Sequence, residues 1–172
     1  MSTIKDENLQ TYHCICTNLL VATTFDVASL PRRASPGLDQ AHILPCPVPH
    51  PHTLDHDGVE HDDREERSVV STTRGGRGRT VLLSMLAARK VVVRRADGFE
   101  KRYLLQCGRC GTTVGYHIDT SQYPVSGSTP EARQGANRDV VYILPGSMVT
   151  TEAMAGGQLP DEREISLGAA AL

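Results

Sequence analysis

Two cysteine pairs carry the chemistry this chain can do: Cys14-Ile15-Cys16 and Cys107-Gly108-Arg109-Cys110. On a strand, residues two apart share a face, so Cys14 and Cys16 are expected to converge on one ion. The second pair has the spacing of a zinc knuckle, and Gly108 and Gly111 permit the turn that brings amides toward thiolate sulfur. Together the pairs supply four thiolates. A closed tetrahedral thiolate set favours Zn(II) and leaves no open position for catalysis. The competing readings are buried thiol pairs or a redox CxxC. The redox reading is disfavoured because Cys107-Gly-Arg-Cys110 sits between strand-like stretches, not at a helix N-terminus that would stabilise a thiolate. A structural Zn(II) is the expectation, joining two blocks of chain so that binding energy becomes folding energy.

The other candidates are weaker. Cys46, between Pro45 and Pro47, reads as an incidental exposed thiol rather than a reactive one or a replacement ligand. His50, His52, His56 and His61 lie among acids at irregular spacing and read as a solvated loop, not a second metal site. His13 and His117 flank the cysteine pairs and read as strand surface positions more readily than as supports for the ligands. Arg94, Arg95, Lys101 and Arg102 flank Asp97-Gly98 and form a basic hairpin, either a partner- or phosphate-binding face or a solvated edge that discourages strand pairing. Arg74, Arg77 and Arg79 sit in a short RGG-like stretch that would contact RNA weakly, since no aromatic residues interleave it. No nucleophile elbow, phosphate loop, zinc-protease helix motif or dinucleotide fingerprint is present, so no catalytic residue is assigned and no enzyme is expected.

The elements that must position these residues are strands. The chain has 172 residues, a formal net charge of −2, no tryptophan and two phenylalanines, so valine, leucine and isoleucine must build one core. A charge near zero excludes binding to nucleic acid by bulk electrostatics alone. No apolar run approaches the ~18 residues of a membrane span, and the polar, acidic start is not a secretory leader, so a cytosolic or nuclear setting is expected. The first block holds strands over 12–16 and 19–24. The second holds 81–85, 90–95, 102–106, 112–118 and 140–144, with Asp97-Gly98 as the hairpin turn. A short helix is expected over 148–155, capped by Thr150 or Thr151. Residues 1–10 and 156–172 read as flexible ends of a single domain over 11–155. Between the blocks, 32–79 reads as a disordered insert, because six of ten prolines fall between Pro31 and Pro51 and interrupt ladders.

The order of pieces resembles the STING ER exit protein (STEEP) family: Tyr12-His-Cys-Ile-Cys16, an apolar strand and Leu30-Pro31-Arg32, then Val93-Arg-Arg-Ala-Asp-Gly-Phe-Glu-Lys-Arg-Tyr103, Cys107-Gly-Arg-Cys110 and Gly115-Tyr116. The resemblance covers 11–33 and 80–144. Two features depart from it. Thr17 stands where the family has glycine after the CxC pair, and the tail lacks the charged, helix-prone extension of longer relatives. What the resemblance implies is a non-catalytic adaptor at the cytosolic face of the ER. Such an adaptor aids vesicle exit toward the Golgi (the animal member is linked to exit of STING) through protein partners, including a lipid-kinase complex that forms phosphatidylinositol 3-phosphate. The family's association with spliceosomal material keeps a nuclear RNA-processing role as the alternative. The fold class expected is mostly β: a small antiparallel, zinc-stapled domain of the β-tent kind, two hairpin layers pinned at one end, with a long insert and a short C-terminal helix.

Overall fold

Among the described residues, the apolar, β-branched runs form ten strands, joined by one short α-helix and two 3-10 turns. The computed structural model describes residues 9–34, 39–46, 69–72 (backbone only), 78–95, 98–123, 135–158 and 160. The strands are β1 (Gln10–Cys14), β2 (Leu19–Thr23), β3 (His42–Pro45), β4 (Val69–Thr72), β5 (Arg79–Leu82), β6 (Met85–Arg95), β7 (Gly98–Cys107), β8 (Thr113–Ile118), β9 (Val140–Ile143) and β10 (Met148–Thr150). Helix α1 is Thr151–Ala155. They make two five-stranded antiparallel sheets, one ordered β10-β1-β2-β5-β4 and the other β3-β9-β8-β7-β6. The mostly antiparallel β expectation holds.

Strand alternation builds a core on each face of the second sheet. From β9, Val141 and Ile143 enter the core shared with Tyr12, Leu20 and Val21 of the first sheet. Tyr142 and its neighbour Leu144 enter the opposite core with Leu104, Tyr116 and Ile118. Val114 is the extra residue of a bulge, since Leu105 pairs with Gly115 and Gln106 with Thr113. The bulge turns Val114 into the shared core while Tyr116 faces away, the re-aiming that an inserted residue produces. Gly115 is required by close approach: a Cβ there would lie 2.4 Å from the carbonyl oxygen of Tyr142.

The structure corrects several boundaries. Cys14 ends β1, but Cys16 lies in the turn after it, so the pair does not converge by strand alternation. Residues 148–150 form β10, paired with β1, before α1 begins; Thr150 caps the helix by accepting from the Ala153 N–H at 3.1 Å. Among residues of the expected insert, Asp39, Ala41, His42, Leu44 and Cys46 are buried, β3 pairs with β9, and β4 and β5 extend the first sheet. Pro45 is tolerated because it ends a strand at the sheet's edge. Cys46 is buried in the shared core, not exposed. Its amide donates to the Asp139 carbonyl, and burial pushes its thiol up to about 12. The hairpin is where it was expected, with Arg95 opposite Gly98.

Candidate metal centre

The four cysteines meet where the two sheets join. Cys14 leaves β1, and the chain reverses through a turn in which the Thr17 N–H donates to the Cys14 carbonyl at 2.8 Å and the Cys14 N–H to the Asn18 carbonyl at 2.9 Å. Thr17 adopts φ 70°, the left-handed region where a branched side chain is strained, so the turn keeps a glycine-like backbone without glycine. The second turn is built likewise: Cys107 ends β7, the Gly111 N–H donates to the Cys107 carbonyl at 2.9 Å, and Gly111 has φ 74°.

All four Sγ atoms lie within 4.8 Å of one another. Cys14 Sγ is 3.5 Å from Cys110 Sγ, and Cys16 Sγ is 3.7 Å from Cys107 Sγ. Those separations are far from the ~2.05 Å of a disulfide. They approach the ~3.8 Å edge of a tetrahedron whose metal–sulfur bonds are about 2.3 Å. The donor set therefore fits a closed four-thiolate metal site.

The surroundings favour thiolate unevenly. Cys110 is held near 6, chiefly by the Thr112 hydroxyl 3.2 Å away and the Thr112 amide. Burial would raise Cys107, but the amides of Cys110 and Arg109 and the Asn18 side chain, 3.4 Å from the sulfur, bring it below the usual thiol value. Cys14 is pushed up to about 12 by burial, which a bound cation would reverse. Asn18 and Arg109 are partners the sequence did not single out. Arg109 Nη1 donates to the Cys16 carbonyl at 3.1 Å and to Thr17 Oγ1 at 3.3 Å, tying one turn to the other.

The remaining candidates are placed elsewhere. His13 bonds Thr151 Oγ1 and the Thr17 carbonyl; His117 is buried, against the expected surface position, with Nδ1 on the Val140 carbonyl. Cys46 is not among the four clustered sulfurs. Arg79 lies exposed in β5, while Arg74, Arg77, His50, His52, His56 and His61 fall outside the described residues. The basic hairpin divides by face. Arg94 and Lys101 are exposed, whereas Arg102 is buried and Arg95 largely so. A solvent-facing row of four cations is therefore corrected to two, because strand alternation turns Arg95 and Arg102 toward Glu100.

Glu100 anchors a buried ion cluster that sequence reading missed. Arg33 grips its carboxylate through both Nη atoms at 2.8 and 2.7 Å, Arg102 Nε donates at 2.6 Å, and Arg95 completes the ring. Arg102 also pairs with buried Asp39 at 2.9 Å and lies 4.1 Å from the Tyr116 ring centroid. The Tyr116 hydroxyl donates to Asp39 and accepts from Arg33. Burial would raise the Glu100 carboxyl, but the bonds from Arg33 and Arg102 outweigh it and hold it at about 2. An open cleft of about 350 Å³ adjoins the cluster, walled by Phe99, Tyr123 and Tyr142.

Comparison with known proteins adds one finding. The model of the STEEP1 domain matches residues 3–158. No curated protein matches the chain significantly.

Proposed function

The chain belongs to the STEEP1 domain family, and from that membership we propose that it is a non-catalytic adaptor held in shape by one structural Zn(II), working at the cytosolic face of the ER in vesicle exit toward the Golgi. What supports the non-catalytic part is the cysteine set: four sulfurs within 4.8 Å would fill a tetrahedron around a metal ion and leave no position on it for a reacting ligand. Cys14, Cys16, Cys107 and Cys110 would hold the ion. It would supply no reaction chemistry, only a cross-link between sheets.

The trafficking role, with protein partners and phosphatidylinositol 3-phosphate formation as its route, rests on the family resemblance. Among the described residues no helix is long and apolar enough to cross a membrane. The test is affinity purification of the tagged protein from its own cells, with and without nuclease, read by mass spectrometry. Coat, ER or lipid-kinase components that survive nuclease are the expected result. Splicing components lost with nuclease would replace this reading with nuclear RNA processing.

A further inference from the structure

The β6–β7 hairpin presents two different surfaces. Register places Val92 opposite Lys101 and Arg94 opposite Phe99, so these four side chains share one face. All four are exposed, Val92 at 60% and Phe99 at 68%. The other face turns Glu100 and Arg102 into the ion cluster, which stiffens the hairpin from behind. Among the described residues, neither Arg94 nor Lys101 has an ion-pair partner.

Among the described residues, β6 is also the last strand of its sheet, hydrogen-bonded to β7 on one side only. A bulge between Ala87 and Lys90 interrupts its first half, and from Lys90 to Arg95 the pairing is regular. An edge of this kind offers unpaired backbone donors and acceptors in strand register.

We propose that the Lys90–Arg95 edge of β6 docks an extended segment of a partner protein, added as a further antiparallel or parallel strand, with acidic side chains beside Arg94 and apolar ones on the face of Val91 and Val93. The inference deepens the adaptor reading and rests on it. Charge selects the occupant. Lys90 and Arg95 are spoken for by Asp119 and Glu100, but β6 still exposes Arg89 and Arg94 and carries no acid, so pairing with a second copy sets cations against cations. A lipid surface would meet the cations but cannot continue the backbone ladder. An acidic strand satisfies the charges and the ladder together.

The test uses the full zinc-loaded chain and a blocked peptide alternating glutamate and valine. The expected result is saturable binding that slows amide exchange in β6 and is weakened about tenfold or more by Arg94→Glu with Lys101→Glu. N-methylation of alternate peptide amides, which removes the ladder but keeps the charge, is expected to abolish binding. Absence of binding overturns the proposal. So does binding that survives N-methylation or charge reversal, or preference for phosphatidylserine vesicles or oligouridylate over the peptide. A chain that recovers trafficking components from cells yet ignores the peptide loses this edge assignment and keeps the adaptor reading. A chain that binds the peptide but recovers none keeps the edge and loses the adaptor reading.

Discussion

Arg109, inside the second cysteine pair, donates to the carbonyl oxygen of Cys16, inside the first, at 3.1 Å. The two turns are thus joined by protein atoms as well as by any ion. That bond is exposed and contributes about 1 kcal/mol at most, so it positions the turns while the thiolates supply the strength. Arg109→Ala is expected to lower stability by about 1 kcal/mol without changing metal content, measured by chemical denaturation and atomic absorption.

Metal removal should do far more. One zinc per chain is expected, and a strong chelator should abolish the cooperative thermal transition, because structural zinc contributes about 10 kcal/mol or more of apparent binding energy. Cys107→Ser should do the same without chelator. A transition of unchanged midpoint in the metal-free protein would remove the site from the account.

Thr17→Gly should stabilise. A branched residue at φ 70° costs about 1–2 kcal/mol, while glycine's larger unfolded entropy takes back about 0.5–1 kcal/mol. Loss of the Arg109 bond to Thr17 Oγ1 trims the gain further. A net rise of up to about 1 kcal/mol, or about 2–4 °C in Tm for a chain of this size, is expected by calorimetry. A fall would show that the hydroxyl matters more than the backbone.

Arg102→Ala leaves Asp39 and Glu100 short of a buried partner and should cost about 3–5 kcal/mol. Arg102→Met should cost no less, since the carboxylates, not the volume, set the penalty. Urea midpoints of the two variants measure this directly.

Acid should weaken the domain through Glu100 of this cluster and through Asp119, which lies outside it beside Lys90 and Tyr103. Glu100 sits at about 2 against an ordinary 4.5, and Asp119 at about 2 against 3.8, the latter because bonds from Ser121, Lys90 and Tyr103 outweigh its burial. Both folded values are depressed, so their stabilisation is present above the ordinary values and is lost as pH falls through the folded ones. Stability should therefore decline between pH 4.5 and about 2. Glu100→Gln, less stable at neutral pH, should flatten that decline in a pH series of urea melts.

The four clustered cysteines and most of the strands were readable because CxC and CxxC spacing and β-branched runs are local signals. The ion cluster was not. Arg33 and Glu100 are 67 positions apart, and nothing near either one marks the other. β3 had a readable pattern, since His42, Leu44 and Cys46 are all buried at period two. The surrounding prolines concealed it, as a proline argues against a strand unless it lies at an edge, and edge position is a property of the assembled sheet. The CxC geometry was misjudged for a related reason. Which residue ends a strand is decided by pairing with β10 and β2, not by the cysteines themselves.

The separation of 91 positions between Cys16 and Cys107 makes the centre the clasp of a very long ring. For a flexible ring, doubling the circumference adds only about 0.6 kcal/mol to the entropy of closure. By that scaling the length of the ring matters little to closing it, whereas a single residue inserted within either cysteine turn would misalign the sulfurs.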